Sequence, residues 1–496
     1  MTKPATLPIQ IRGAGAETLQ QQIYSGIRRC ILEGLIGAEQ RLPSTRALAA
    51  ELGVSRTTVV LAVESLYAEG YLVSRRGAGM FVAPELPDTR PRAAALPEPP
   101  TLAERHPLLS LRGRALAGCR APDRRTTGPP RPFRLGTPGL DIFPVQTWSR
   151  IARQCVGSAG VSRLDYSPLA GLAALREAIA EQVRARGTRC DPEQVIVTAG
   201  AQRGLDLVFH LLLDHDEPVG MEEPGYPGAF SALLAAGGRP VPVTVDEDGM
   251  RVDELAAHPD VHMAYITPSH QFPLGVPMSL ERRQRLLEWA RCSRAWVVED
   301  DYDCDFRYRA QPLPCLHALD PDGRVIYVGT FSKTLFPGLR LGFLIVPHDL
   351  TEGFVRARLG SDVHPPALEQ SILAEFMARG HYQRHLRRMQ AAYAERLGAL
   401  RRAIDESGAP LRLHPVHTGL HAVADLLEDK DAEHVYELAA ARKIEVVPLS
   451  HYYAGPGPFP QALVLGFAAV SPEVIRADFP QLAAAVDSAR ASGWSR

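Results

Sequence analysis

Between Thr18 and Glu33 the apolar residues Leu19, Ile23, Ile27 and Ile31 fall at helical spacing, which predicts one amphipathic helix. Ser44 then offers an N-cap to a second helix through Leu48 and Leu52, stopped at Gly53. Ser55 caps a third, with Val59, Val63 and Leu66 on one face and Gly70 as its stop. Tyr71 to Val82 alternates and carries Gly77 and Gly79, the pattern of a short hairpin. From Pro84 to about Pro132 the periodicity dissolves into Pro, Arg and Ala: an extended linker, with a helical stretch around Leu108 to Leu116.

After Phe133 short apolar strands alternate with helices. The strands are Val195–Val197, Pro218–Met221, His262–Ile266, Ala295–Val298, Val325–Val328 and Leu341–Val346. The helices include Leu172–Arg184, Gln202–Leu213 and Leu280–Cys292. Such alternation predicts an α/β domain, a mainly parallel sheet covered by helices on both faces. A long helix from Tyr382 to Ile404 leads into a smaller C-terminal α/β unit. The expected organisation is a front domain at 1–83, a Pro/Arg-rich linker at 84–131 and a large domain at 132–496. A chain of 496 residues is too long for one ordinary core, which agrees with this division.

The net charge of −1 names no nucleic-acid or membrane partner for the chain as a whole. Its distribution changes the picture. Before Pro84 the cations Lys3, Arg12, Arg28, Arg29, Arg41, Arg46, Arg56, Arg75 and Arg76 outnumber Glu17, Glu33, Glu39, Glu51, Glu64 and Glu69. A basic front segment on an otherwise acidic chain suits an anionic partner, although a solvated charged face looks similar. The seven cysteines are scattered, odd in number and without metal-ligand spacing, so reduced thiols in a cytoplasmic protein are expected. No apolar run is long enough to span a bilayer.

Three helices followed by a hairpin fit a winged helix-turn-helix. Ser55, Arg56, Thr57 and Thr58 open the third helix with the residue types that reach bases and phosphates from a helix N-terminus. Arg75, Arg76 and Gly77 stand on the wing. A small helical adaptor with a solvated basic face is the other reading of the same spacing.

The large domain holds a distinctive lysine. The chain has four, at 3, 333, 430 and 443, and only Lys333 follows an apolar strand, within Gly329-Thr330-Phe331-Ser332-Lys333-Thr334. A desolvated lysine can form a Schiff base, and the nearby hydroxyls with Arg340 can hold a phosphate. A structural ion pair at Lys333 is the alternative. Asp300, in Val297-Val298-Glu299-Asp300-Asp301-Tyr302-Asp303, lies just beyond an apolar strand and suits a pyridinium nitrogen, with Tyr302 near the ring oxygen. A metal site is the competing reading of that acidic run, and the absence of any His in the run speaks against it. Gly200, Ala201 and Gln202 join a strand to a helix and form a phosphate seat at its N-terminus. Tyr226 lies in a Pro-Gly turn, either against a ring or simply packed.

The front segment, with Leu42-Pro43-Ser44, Leu52-Gly53-Val54-Ser55-Arg56-Thr57-Thr58 and Glu69-Gly70-Tyr71, resembles the winged helix of the GntR superfamily. The resemblance implies DNA contacts from Arg46, Arg56, Thr57, Thr58 and the wing. The motifs of the large domain, in their order, resemble fold-type I aminotransferases. The combination resembles the MocR-type regulators. That resemblance implies pyridoxal 5'-phosphate on Lys333, Asp300 on the ring nitrogen, Tyr302 on the ring oxygen, Tyr226 stacked on the ring and His270 beside it. It implies Thr330, Ser332, Arg340 and Gly200–Gln202 around the phosphate. Tyr166 resembles the residue that reaches a neighbouring subunit's phosphate, which implies a head-to-tail homodimer.

The usual aminotransferase clamps its substrate's carboxylate with an Arg on a C-terminal strand; here that strand reads Ala462-Leu463-Val464-Leu465-Gly466. Gly228 stands two residues after Tyr226, where carboxylate-binding relatives can carry another Arg. Arg203, or an Arg from a partner subunit, is a possible substitute. The resulting expectation is a regulator that binds double-stranded operator DNA and responds to a small-molecule effector, an amine or pyridoxal phosphate itself, at Lys333. At most weak aminotransferase chemistry is expected; a working aminotransferase with an accessory DNA module is the alternative.

Overall fold

The computed structural model describes residues 7–9, 11, 17–75, 79–87, 109–119, 128–158, 165–308 and 313–489. The chain divides into two units, Met1–Leu108 and Leu109–Arg496. Arg76, Gly77, Lys3 and most of the expected linker lie outside the described residues.

In the first unit each helix starts where the sequence offers a cap. Helix α1, Leu19–Leu32, is capped by Thr18, whose hydroxyl accepts from the Gln21 amide while the Gln21 side chain accepts from the Thr18 amide. Helix α2, Thr45–Leu52, starts at Ser44 and ends on Gly53 at φ 65°, the left-handed conformation that glycine adopts without strain. Helix α3, Arg56–Ala68, is capped by Ser55. Ile23, Ile27, Leu48, Val59, Val63 and Leu66, all buried, close one core between the three helices. Strands β1, Leu72–Arg75, and β2, Gly79–Val82, pair antiparallel as the wing. The helical spacing and turn residues of the sequence predict all five of these elements.

In the second unit, an eight-stranded sheet uses β3 Val195–Thr198, β4 Pro218–Glu223, β5 Arg239–Asp246, β6 Gly249–Met250, β7 Met263–Ile266, β8 Trp296–Asp301, β9 Val325–Thr330 and β10 Gly342–Ile345. Their spatial order is β3-β10-β9-β8-β7-β4-β5-β6. The ladder from β9 through β8, β7 and β4 to β5 is parallel. Strand β10 runs antiparallel between β3 and β9, so β3 points the same way as β9. Apolar clusters pack both faces, as a parallel sheet requires. The periodicity misses β5, because Pro240 and Pro242 interrupt it. A parallel neighbour, β4, lies on one side of β5, and its side chains alternate between exposed and buried, which leaves room for both prolines.

The helix His381–Ser407 leads to a four-stranded antiparallel sheet of β11 Leu411–Leu413, β12 His421–Leu426, β13 Val447–Pro448 and β14 Ala462–Gly466. All seven cysteines are free thiols. Among the described residues no helix is long and apolar enough to cross a membrane.

Candidate functional site: a half-buried lysine, a buried carboxylate cluster and the exposed face of α3

Strands β3, β4, β7, β8 and β9 share a direction, so their C-terminal ends open along one edge of the sheet. This is where α/β sheets place their ligand sites. Every residue expected around Lys333 except Tyr166 and Arg340 lies at, or a few residues beyond, one of these ends.

Lys333 lies three residues beyond β9, and its Nζ donates to the Gly136 carbonyl at 2.7 Å. Gly136 has φ +70°, and a Cβ there would stand 2.8 Å from Nζ, so the close approach needs glycine. Asp300 is buried near the end of β8. Its Oδ2 accepts from the Tyr265 hydroxyl at 2.8 Å, and its Oδ1 has no partner. Burial pushes its carboxyl up to about 7, against the opposing pull of the Tyr265 hydrogen bond and of Lys333.

The Tyr302 hydroxyl donates to the His270 carbonyl at 3.0 Å and lies 3.0 Å from His270 Nδ1. Burial raises the Tyr302 phenol well above its ordinary range. His270 Nδ1 lies 2.9 Å from Asp303 Oδ2, both side chains being buried. His421 packs at 4.8 Å between ring centroids from His270, donates from Nε2 to the Pro273 carbonyl, and is held neutral by burial. The sequence places no His within the acidic run, but the fold brings two to Asp303. The ligating atoms of His270, Asp303 and His421 lie within 4.8 Å of one another. His270 Nδ1, Asp303 Oδ2 and His421 Nε2 are already engaged in hydrogen bonds.

Tyr226 caps the helix Pro227–Ala236, with its ring edge-on to Phe272 at 5.5 Å. A Cβ on Gly228 would overlap the Tyr226 ring, so the absence of a side chain there is also steric. Glu222, near the end of β4, accepts from the amide and hydroxyl of Thr267 and from Gln271, and burial pushes its carboxyl up to about 7.

Gly200, at φ 90°, begins the helix Ala201–Leu212, whose first-turn amides lie outside the helical ladder. Arg340, itself left-handed at φ 51°, donates to the Ala199 carbonyl at 3.3 Å. A Cβ on Gly200 would stand 3.2 Å from that guanidinium. Thr330 Oγ1 accepts from the Ser332 amide at 3.2 Å. The Gln202 side-chain amide donates to the Gly228 carbonyl at 2.7 Å. An open depression of about 640 Å³ adjoins this turn, lined by Gln202, Arg203, Arg340 and Asp362 among others. Arg203 pairs with Asp206 and Asp362, carboxylates that a ligand's carboxylate would have to displace in order to engage it. Tyr166 stands apart, 84% exposed, with its ring edge-on to His364.

On the first unit, Arg46, Ser55, Arg56 and Thr57 are exposed and Thr58 is half-buried. The hydroxyls of Ser55 and Thr58 lie 2.7 Å apart within the cap of α3. Arg75 pairs with Glu39 at 2.5 Å and lies over the Phe81 ring at 4.9 Å. Arg41, given no role by the sequence reading, lays its guanidinium against Gly79 on the wing.

Sequence reasoning also missed Tyr265, Asp303, Glu222, His421 and Gly136. Asp303 sat in the quoted acidic run and could have been found. Tyr265 reads as an ordinary strand residue, and nothing local marks Gly136.

Residues 138–477 match the model of aminotransferase class I and II, and residues 19–82 match that of bacterial regulatory proteins, gntR family. The chain is 38% identical to the probable rhizopine catabolism regulatory protein MocR of Rhizobium meliloti, over 96% of this chain and 95% of that one. It is 33% identical to the pyridoxine biosynthesis transcriptional regulator PdxR of Corynebacterium glutamicum, over 95% and 97% of the two chains. Among solved structures it is similar to LysN, the alpha-aminoadipate aminotransferase of Thermus thermophilus. The TM-score is 0.66 and the identity 31%, over 72% of this chain and 91% of that one. The chain therefore belongs to the MocR-type transcription regulators, which join a gntR-family DNA-binding domain to an aminotransferase class I and II domain.

Proposed function

We propose that this chain holds pyridoxal 5'-phosphate on Lys333 and changes its affinity for operator DNA when a small molecule engages that site. The observation that carries the reading is the unpartnered Oδ1 of Asp300, in the same cluster as the lysine. A buried carboxylate oxygen without a donor is costly, and a protonated ring nitrogen would satisfy it. Bound pyridoxal phosphate supplies an aldehyde that joins reversibly to primary amines and a ring that withdraws electrons.

The chain's own residues would do the rest. The Gly136 carbonyl orients the Lys333 amine. Tyr265 fixes the rotamer of Asp300 and favours its ionised form. Asp303 fixes His270, against which the Tyr302 hydroxyl is held. Tyr226 offers a ring face. Arg340, Ser332, Thr330 and the amides at Ala201 and Gln202 would take the phosphate. The exposed Tyr166 supports a homodimer in which it completes the phosphate seat of the neighbouring subunit.

An amine effector that competes with Lys333, or pyridoxal phosphate itself, must bind two arrangements of the protein unequally to act on DNA. The test is anisotropy of an operator duplex, selected from a random library, with wild type and Lys333→Ala. Pyridoxal phosphate and a panel of primary amines, with and without carboxylates, would be added in turn. We expect at least one combination to change wild-type affinity about fivefold or more, with no change in the variant. Equal responses, or none, would overturn the reading.

A working aminotransferase is the second reading, favoured by the complete lysine, carboxylate and tyrosine set and by the likeness to LysN. Rapid multiple turnover of amino donors to keto acids would establish it. Against it stand the apolar β14 and the closed position at Gly228.

A further inference from the structure

The recognition helix α3 carries an apolar residue where polar ones are expected. Its inner face, Val59, Ala62, Val63 and Leu66, is buried in the core of the first unit. Its outer face carries Thr57, Leu61 and Glu64, with Arg56 and the half-buried Val60 at its edge. Leu61 is 44% exposed and lies one turn after Thr57 on that face. An isolated exposed leucine needs no explanation on most helices. Here it shares the face with Thr57, in the helix's first turn, in a domain of a DNA-binding family that also exposes Arg46 and Arg56. Helices of this kind enter the major groove by their N-terminal turns, where the C5-methyl of thymine is the apolar group that a side chain can meet. Glu64, next on the face, carries a charge that phosphates repel, so the readable stretch ends at Leu61.

We infer that Leu61 reads thymine methyl groups in the major groove and sets part of the operator's sequence. Arg46 and Arg56 neutralise phosphates, which fixes the helix in register but carries no sequence. Leu61 then packs on one or two methyls. Burying one methyl group against it contributes about fourfold in affinity.

The inference rests on the DNA-binding reading, and the experiment separates the two. The full-length protein selects a duplex from a random library, and each thymine of that duplex is then replaced singly by deoxyuracil, which removes only the methyl. Binding is followed by anisotropy at fixed salt for wild type, Leu61→Ala and Leu61→Met. We expect one or two positions where uracil weakens wild type about fourfold. At those positions Leu61→Ala is indifferent and Leu61→Met keeps the sensitivity. Alanine suits an exposed helix site, so the variant folds. Wild type indifferent to every uracil, or Leu61→Ala as sensitive as wild type, overturns the inference alone. Selection that enriches no duplex overturns the DNA-binding reading together with it.

Discussion

Tyr265→Phe removes one oxygen and should weaken the grip on pyridoxal phosphate. The Tyr265 hydroxyl is the only donor to Asp300 found among the described residues, at 2.8 Å, with both groups buried. A hydrogen bond to a charged group contributes about 1.5–3 kcal/mol. Its loss should raise the Asp300 carboxyl by about one to two pKa units, above the value of about 7 that it already has. Binding a protonated ring nitrogen requires the ionised carboxylate, so the extra cost of ionisation falls on the affinity. The expected loss is roughly fivefold to fiftyfold at neutral pH, where the wild-type carboxyl is half ionised, and roughly tenfold to a hundredfold well below it. It has a pH signature. Below neutrality both proteins start with Asp300 protonated, and the whole penalty shows. Above about pH 9 the carboxylate is ionised in both before the cofactor binds, and the penalty disappears. Titration with pyridoxal phosphate, followed by visible absorbance at several pH values, measures both effects. Affinities within twofold of wild type across the range, or a loss independent of pH, would refute the reasoning.

Asp300→Asn tests the same carboxylate through stability. The folded Asp300 carboxyl stands at about 7 and the unfolded one near 3.9, so between those values the native state keeps a proton that the unfolded state releases. Wild-type stability contributed by this group is therefore present below pH ~4 and lost as pH rises to about 7. Urea unfolding without added cofactor should show Asn gaining on wild type across that window and levelling above it; a flat difference contradicts this. Gly419→Ala should destabilise by about 2–4 kcal/mol, since φ is +85° there and a Cβ would overlap the His270 ring and crowd Asp303. Denaturant unfolding measures it, and a change under about 0.5 kcal/mol would show that the pair can move aside.

The legible parts of this protein were those whose cause is local. Ser44, Ser55 and Gly53 announce helix ends because capping and left-handed turns involve neighbours in sequence. The strands before Asp300 and Lys333 are continuous apolar runs because both faces of the sheet are covered. What stayed hidden depends on pairs brought together only by the fold. Tyr265 meets Asp300 across 35 positions, and Gly136 meets Lys333 across 197. His421 reaches His270 from the smaller sheet. The ion pairs that hold Arg203 come from a helical neighbour and from Asp362, and no sequence pattern distinguishes a held arginine from a free one. Strand β5 was hidden for a different reason, since its prolines read as breaks until its neighbours are known.

The most direct test of the central claim is reductive trapping. The full-length protein is incubated with pyridoxal phosphate, reduced with borohydride and mapped by peptide mass. Of the four lysines, Lys333 is expected to carry the phosphopyridoxyl adduct, matched by a visible absorption band that Lys333→Ala lacks. No adduct, or one confined to Lys3, Lys430 or Lys443, would contradict it and leave the large domain without the cofactor on which the sensing role depends.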